Sequence, residues 1–104
     1  MVPIAEIDID DFAQRLADGA RVIDVREPDE FAAGHVPGAE LLPLAAVAAH
    51  LDRFGARPTY VICRTGVRSM RACEIASDVG HEVVNVTGGT MAWIVTGHDV
   101  ATGT

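Results

Sequence analysis

The centre of the chain reads Tyr60-Val61-Ile62-Cys63-Arg64-Thr65-Gly66-Val67-Arg68-Ser69. An apolar, β-branched run ends in a cysteine, a short loop with a glycine and two arginines follows, and a serine opens a helical pattern. This order predicts a buried strand, a tight loop and a helix, with one thiol at the carboxyl end of the strand. Backbone N–H groups at a helix N-terminus and nearby arginines stabilise a thiolate. Cys63 is therefore the predicted nucleophile of an enzyme, with a stable and exposed thiolate.

Strand-like and helix-like segments alternate along the rest of the chain. Short β-branched or extended runs predict strands at 4–7, 22–25, 40–42, 59–62 and 83–86. Apolar residues at helical spacing predict helices at about 8–19, 27–34, 44–51, 69–79 and 90–96, and the polar tail 97–104 is expected to fray at its end. The alternation predicts an α/β domain with a mainly parallel sheet and helices on both faces.

Two groups of polar residues follow predicted strands. Asp24 and Arg26 lie at the end of one strand, and Cys63 and Arg64 lie at the end of another. Ligands of open α/β sheets bind at the carboxyl ends of the strands. We therefore expect these two groups to lie near each other at one rim of the sheet.

Length and charge restrict the class of protein. A chain of 104 residues predicts a single domain, 1–104, with a core of its own. The net charge of −7 argues against nucleic acid and anionic membranes as partners, and the longest apolar region, 41–51, is too short to span a bilayer. No signal peptide and no disulfide framework are evident, so a reducing cytoplasm is expected. No Cys and His residues have zinc spacing, so neither a metal nor a cofactor is expected.

The basic residues are unevenly distributed. All eight are arginines, and Arg64, Arg68 and Arg71 fall within eight positions after Cys63. Chance clustering on a solvated helix face is one interpretation. A local anion site is the favoured one, because Arg64 and Arg68 flank a glycine in a loop that opens a helix, where anions bind. Such a site would receive an anionic sulfur donor such as thiosulfate.

Four motifs lie along the chain: Val22-Ile23-Asp24-Val25-Arg26-Glu27, Glu30-Phe31-Ala32-Ala33-Gly34-His35-Val36-Pro37-Gly38-Ala39, Cys63-Arg64-Thr65-Gly66-Val67-Arg68-Ser69 and Gly88-Gly89-Thr90-Met91-Ala92-Trp93. In this order they resemble the motifs of single-domain rhodaneses, which are thiosulfate-type sulfurtransferases. The one departure inside the motifs is Val36, where the family more often has isoleucine. The resemblance runs nearly from end to end of the chain.

The resemblance implies a fold and a set of roles. The family fold is a five-stranded, mainly parallel sheet between helices. Cys63 matches the nucleophile that forms a persulfide, Asp24 and Arg26 match a supporting pair, and Glu30 and His35 match positions that organise a turn. The residues that match the substrate-binding loop around the sulfur are Arg64, Thr65, Gly66, Val67, Arg68 and Ser69.

The resemblance also implies partners, but it leaves other functions open. The donor would be a small sulfur compound, and the acceptor would be cyanide in vitro or a thiol such as glutathione or thioredoxin. A non-enzymatic sulfur-carrier or regulatory module is one alternative. Cysteine phosphatases and arsenate reductases are another, although four residues separate Cys63 from Arg68, a loop one residue too short for those enzymes. Cys73, on a helix face with apolar neighbours, is expected to belong to the core.

Overall fold

Strands and helices alternate along the chain as the sequence predicts. The computed structural model describes residues 3–55 and 57–104. The strands are β1 (Ala5–Ile7), β2 (Arg21–Asp24), β3 (Glu40–Leu41), β4 (Thr59–Ile62) and β5 (Val83–Val86). The α-helices are α1 (Ile9–Ala17), α2 (Pro28–Ala33), α3 (Val67–Ser77) and α4 (Gly89–Val95).

The five strands form one sheet in the order β1-β5-β4-β2-β3. All pairings between these strands are parallel, which confirms the predicted α/β class. The central strand β4 pairs with β2 on one side and β5 on the other, with Val61 opposite both Ile23 and Asn85. Cys63, which directly follows β4, therefore lies at the middle of the carboxyl edge of the sheet.

Apolar side chains from alternate positions of the strands form a core on each face of the sheet. On one face, Val61 and Ile23 belong to a cluster with Cys73 and Ala72 of α3. On the other face, Val22 and Ile62 belong to a cluster with Phe12 of α1 and Trp93 of α4. Helices therefore cover both faces, as predicted, and Cys73 belongs to the core, as also predicted.

Two local predictions are wrong. The segment expected to form a helix at 44–51 forms two 3-10 helices, Leu44–Ala49 and Leu51–Phe54. Its N–H groups donate to carbonyls three residues earlier, from Ala46 to Pro43 at 2.8 Å and from His50 to Val47 at 3.0 Å. The tail is held rather than frayed, since Ala101 pairs with His35 in an antiparallel bridge and the Gly103 N–H donates to the Ala32 carbonyl at 2.9 Å.

Among the helices within residues 3–55 and 57–104, none qualifies as a candidate membrane-spanning segment. None of the helices there combines the length and the apolar character that a transmembrane segment requires.

Candidate active site

The loop between β4 and α3 wraps its backbone around the sulfur of Cys63. The Gly66 N–H donates a hydrogen bond to Cys63 Sγ at 3.1 Å, and the Ser69 hydroxyl donates a second one at 3.3 Å. We call residues 64–69 the cradle. Its donors converge on one sulfur atom at the carboxyl edge of the sheet.

The cradle favours the thiolate form of Cys63. Burial by itself raises the pKa of the thiol, because a charged sulfur loses its hydration. Hydrogen bonds from the Ser69 hydroxyl and from the backbone N–H groups of Ser69, Gly66 and Thr65 act in the opposite direction. The donors outweigh burial, so the pKa of Cys63 is lowered from its ordinary value.

The N-terminus of α4 determines which way the cradle backbone faces. The N–H groups of Thr90 and Met91 donate to the carbonyl oxygens of Cys63 and Arg64 at 2.9 and 3.1 Å. The Thr90 hydroxyl adds a bond to the Cys63 carbonyl at 3.1 Å. In a trans peptide the C=O and N–H point in opposite directions. Because the Arg64 carbonyl faces α4, the Thr65 N–H is turned away from α4 and toward the sulfur.

This close approach of α4 requires a glycine at position 89. A Cβ on Gly89 would lie less than 3.0 Å from the carbonyl oxygens of Cys63 and Arg64, a separation that real Cβ contacts do not reach. Gly89 also has a φ of 60°, in the left-handed region that other residues adopt with difficulty. Gly89, the second glycine of the last motif, therefore permits the contact between α4 and the cradle.

Asp24 and Arg26 form a buried ion pair beside the cradle. Arg26 Nη2 donates to Asp24 Oδ2 and to the Gly34 carbonyl, each at 2.8 Å. Asp24 lies opposite Ile62 in the sheet, which confirms that the two groups predicted for one rim are neighbours. Neither side chain has a hydrogen bond to Cys63. The pair does not contact the sulfur, and Arg26 holds the carbonyl of Gly34 at the end of α2.

A second ion pair connects the cradle to α2. Arg68 Nη1 and Nη2 donate to Glu30 Oε1 and Oε2 at 2.7 and 2.9 Å, a bidentate arrangement. Glu30 Oε1 also accepts the Glu27 N–H at 3.0 Å at the start of α2. The Arg68 guanidinium, with a further contribution from the Glu27 N–H, lowers the pKa of Glu30 to about 2. The Arg68 guanidinium is thus held in an ion pair. Arg64, by contrast, is exposed and forms no ion pair with the residues the structure describes.

Cys63 is more buried than the sequence predicts. Only 1% of its surface is exposed, so the expectation of an exposed thiolate is wrong. The cradle folds over the sulfur on one side, and the core cluster that includes Val61 and Ala72 surrounds the residue on the other. Val67, at the outer rim of the cradle, is by contrast 76% exposed.

The chain is similar to known proteins over most of its length. A family model described as "Rhodanese-like domain" matches residues 8–96. The chain belongs to the rhodanese-like family. A sulfurtransferase from Allochromatium vinosum is 36% identical over 94 residues, which cover 86% of this chain and 88% of that protein. A thiosulfate sulfurtransferase from Pseudomonas putida is 39% identical over 88 residues, with 79% and 76% covered.

A solved structure shares the same rhodanese-like fold. The crystal structure of a rhodanese-like domain protein from Staphylococcus aureus superposes with a TM-score of 0.87 at 30% identity. The match covers 97% of this chain and 100% of that one. The five-stranded parallel sheet with helices on both faces is therefore the rhodanese-like architecture.

Several contacts of this rhodanese-like domain are not predictable from the sequence motifs. Glu30 is read there as a residue that organises a turn, but it also holds Arg68. Gly89 and Thr90 belong to a recognised motif, yet nothing in the motif shows that they contact the cradle. Among the described residues, no group of three or more His, Cys, Asp or Glu side chains comes together to hold a metal ion.

Replacing Gly89 by alanine tests the close approach of α4. We expect Gly89→Ala to lower the free energy of unfolding by about 2–4 kcal/mol, because the new Cβ displaces the carbonyl oxygens next to Cys63. Gly97→Ala is the matched control, since Gly97 has a φ of 86° but no atom within 4 Å of the added Cβ, and we expect it to cost about 1 kcal/mol. Equal losses in chemical denaturation would show that the approach to the cradle is unimportant.

The Glu30–Arg68 pair predicts a specific dependence of stability on pH. Glu30 has a pKa of about 2 in the folded protein against 4.5 as its ordinary value. Its stabilisation is therefore complete above about pH 5 and is lost as the pH falls toward 2. Because both side chains are about a third exposed, we expect the wild type to lose about 1 kcal/mol more than Glu30→Gln over this range.

The measurement for this pair is urea denaturation at several pH values. Glu74→Gln serves as the control, since Glu74 has only a 3.5 Å contact with the exposed Arg71. Parallel stability curves for the wild type and Glu30→Gln would contradict a role for the pair.

Proposed function

We propose that this rhodanese-like domain is a sulfurtransferase that carries a sulfane sulfur as a persulfide of Cys63. The observation that carries the proposal is the convergence of the Ser69 hydroxyl and backbone N–H groups on one sulfur whose pKa is lowered. Relatives named as sulfurtransferases support the reaction class. The proposed donor is thiosulfate or a similar anion, and the proposed acceptor is a thiol such as glutathione or thioredoxin, with cyanide as its substitute in vitro.

The first half-reaction loads the enzyme. The Cys63 thiolate attacks the outer sulfur of thiosulfate and forms a new S–S bond. The S–S bond of thiosulfate breaks, and its electron pair leaves with sulfite. The products are a Cys63 persulfide anion and sulfite, so atoms and charge balance without an added oxidant. The thiolate needs no separate general base, because its pKa is already lowered.

The second half-reaction empties the enzyme. An acceptor thiolate attacks the outer sulfur of the persulfide, and the bond to Cys63 Sγ breaks with its electrons returning to Sγ. The acceptor leaves as a persulfide, and the Cys63 thiolate is regenerated. With cyanide as acceptor the product is thiocyanate. The donors of the cradle stabilise both anions, the thiolate and the persulfide.

Entry of the donor requires movement at the rim of the cradle. Cys63 is 1% exposed, so the donor cannot reach the sulfur over a wide opening. The side chains of Thr65 and Val67 are exposed at the rim, and we propose that they move aside to admit the donor.

Arg64 is the arginine we propose for attracting an anionic donor. It directly follows Cys63 and is exposed without a carboxylate partner among the described residues. Arg68, which the sequence analysis also assigns to the donor, is neutralised by the bidentate contact with Glu30. A fixed charge on Arg64 raises the local concentration of anions near the cradle.

Persulfide formation is tested by mass spectrometry after treatment with thiosulfate. We expect a gain of one sulfur atom on Cys63 in the wild type and in Cys73→Ala, because Cys73 is buried and its pKa is raised to about 12. We expect no gain in Cys63→Ser, and a loss of turnover of at least about a thousandfold. Sulfur transfer that persists in Cys63→Ser would refute the proposal.

The role of Arg64 is tested with two alkylating reagents of similar size. Arg64→Ala should slow the reaction of Cys63 with the anion iodoacetate about three- to tenfold but leave the neutral iodoacetamide unaffected. The KM for thiosulfate should rise by a similar factor. Arg71→Ala, which removes an exposed arginine of α3, is the control. Equal effects on both reagents would exclude electrostatic attraction by Arg64.

The alternative functions give different results with the same protein. A sulfur carrier would load Cys63 but would not release sulfur to small thiols. A cysteine phosphatase would hydrolyse a small aryl phosphate, which the sulfurtransferase is expected to leave intact. We also propose a reducing, cytoplasmic location, because both cysteines are free thiols.

A further inference from the structure

The buried side-chain amide of Asn85, on β5, contacts the cradle at Gly66. Asn85 is 1% exposed and lies opposite Val61, two residues before Cys63. Its Nδ2 donates two hydrogen bonds, one to the Gly66 carbonyl oxygen and one to Glu6 Oε2, each at 3.1 Å. Asn85 therefore connects the edge strand β1 to the cradle through one side chain.

The two acceptors fix the orientation of the Asn85 amide. A flipped amide would place its oxygen against two other oxygens and would lose both hydrogen bonds. In the observed orientation Oδ1 is buried and has no hydrogen-bond partner among the described residues. A buried acceptor without a partner destabilises the folded state. The protein therefore keeps this amide at a cost in stability.

Neither acceptor needs Asn85 for its own hydrogen bonding. The Gly66 carbonyl also accepts the Met70 N–H at 3.3 Å, the first bond of α3. Glu6 is exposed, so water can solvate its carboxylate. An apolar residue of similar size would leave neither group buried and unpaired. Hydrogen bonding to these two acceptors therefore does not explain why an asparagine occupies position 85.

We propose that Asn85 is a positioning residue of the cradle, since its amide fixes the Gly66 carbonyl and so aims the Gly66 N–H at Cys63 Sγ. Gly66 has φ of 107° and ψ of −3°, and glycine rotates more freely about these bonds than any other residue. Anchors on both sides of Gly66, at the sulfur and at Asn85, restrict this rotation. The inference rests on the proposed role of Cys63 as nucleophile, but its test measures the thiol and not sulfur transfer.

The charged and titratable groups near Cys63 stay the same when Asn85 is replaced by a neutral residue. A change in the behaviour of the thiol then reports on geometry. These groups are Arg64 of the cradle, Arg68 of α3, Glu30 of α2, Asp24 of β2 and Glu6 of β1, whose carboxylate accepts a hydrogen bond from Asn85. Cys73 of α3 is replaced by alanine in every protein compared.

The test uses Asn85→Leu in a protein that also carries Cys73→Ala. Ultraviolet absorbance of the thiolate is followed against pH, and the rate of alkylation by neutral iodoacetamide is measured at neutral pH. We expect the titration of Cys63 to move to higher pH and alkylation to slow by about three- to tenfold. We expect Tm to change little, because the orphaned Oδ1 is removed together with the two hydrogen bonds.

Thr59→Val is the matched control. Thr59 is fully buried at the opposite end of β4, where its hydroxyl donates to the Phe54 carbonyl at 2.8 Å. This variant should lower Tm and leave the titration of Cys63 unchanged. A wild-type titration and alkylation rate in Asn85→Leu would overturn the proposal, and so would an equal shift in Thr59→Val.

A second variant covers the case in which Asn85→Leu does not fold. Asn85→Ala is smaller and remains neutral, and it cannot donate to the Gly66 carbonyl. We expect its Cys63 titration to move in the same direction, and a wild-type titration would overturn the proposal as well. If the wild type fails to form a persulfide while the Asn85 variants still shift the titration, the proposed function alone is refuted.

Discussion

The approach of α4 to the end of β4 is the constraint on which the site depends. N–H groups in the first turn of α4 donate hydrogen bonds to the carbonyl oxygens of Cys63 and Arg64. With the opposite orientation, carbonyl lone pairs would face the sulfur and would destabilise a thiolate. Topology makes the approach possible: β5 lies beside β4 in the sheet and leads directly into α4. Gly89 makes the approach sterically possible, because these carbonyl oxygens lie too close to where the Cβ of any other residue would be.

The two cysteines show that hydrogen-bond donors, and not burial, decide which thiol has the lower pKa. Cys63 and Cys73 are both almost fully buried and belong to the same core cluster. Burial, with smaller contributions from nearby negative charge, raises the pKa of Cys73 to about 12. The same desolvation acts on Cys63, but the Ser69 hydroxyl and the backbone donors reverse its effect. A thiol with a lowered pKa is therefore compatible with a buried position, provided that the donors are already in place.

The sequence predicts those parts of the fold and site that depend on local pattern. The alternation of strands and helices predicts the parallel sheet, and the position of Cys63 at the end of a strand predicts the loop around its sulfur. The contact of Glu30 with Arg68 is not predictable in this way, because the two residues are far apart in the chain and Glu30 has a sufficient local role as a helix cap. Asn85 is likewise read as a strand residue, and nothing near it in sequence indicates that it contacts Gly66.

Separate elements of the fold hold successive parts of the cradle. The helix α4 holds the carbonyls of residues 63 and 64, β5 holds Gly66 through an amide, and α2 holds the guanidinium of Arg68. These anchors fix backbone and charge, while the side chains of Thr65 and Val67 face solvent. This arrangement is compatible with both the burial of Cys63 and the proposed sulfur exchange, because hydrogen-bond donors that are already in place need not reorganise when a substrate arrives.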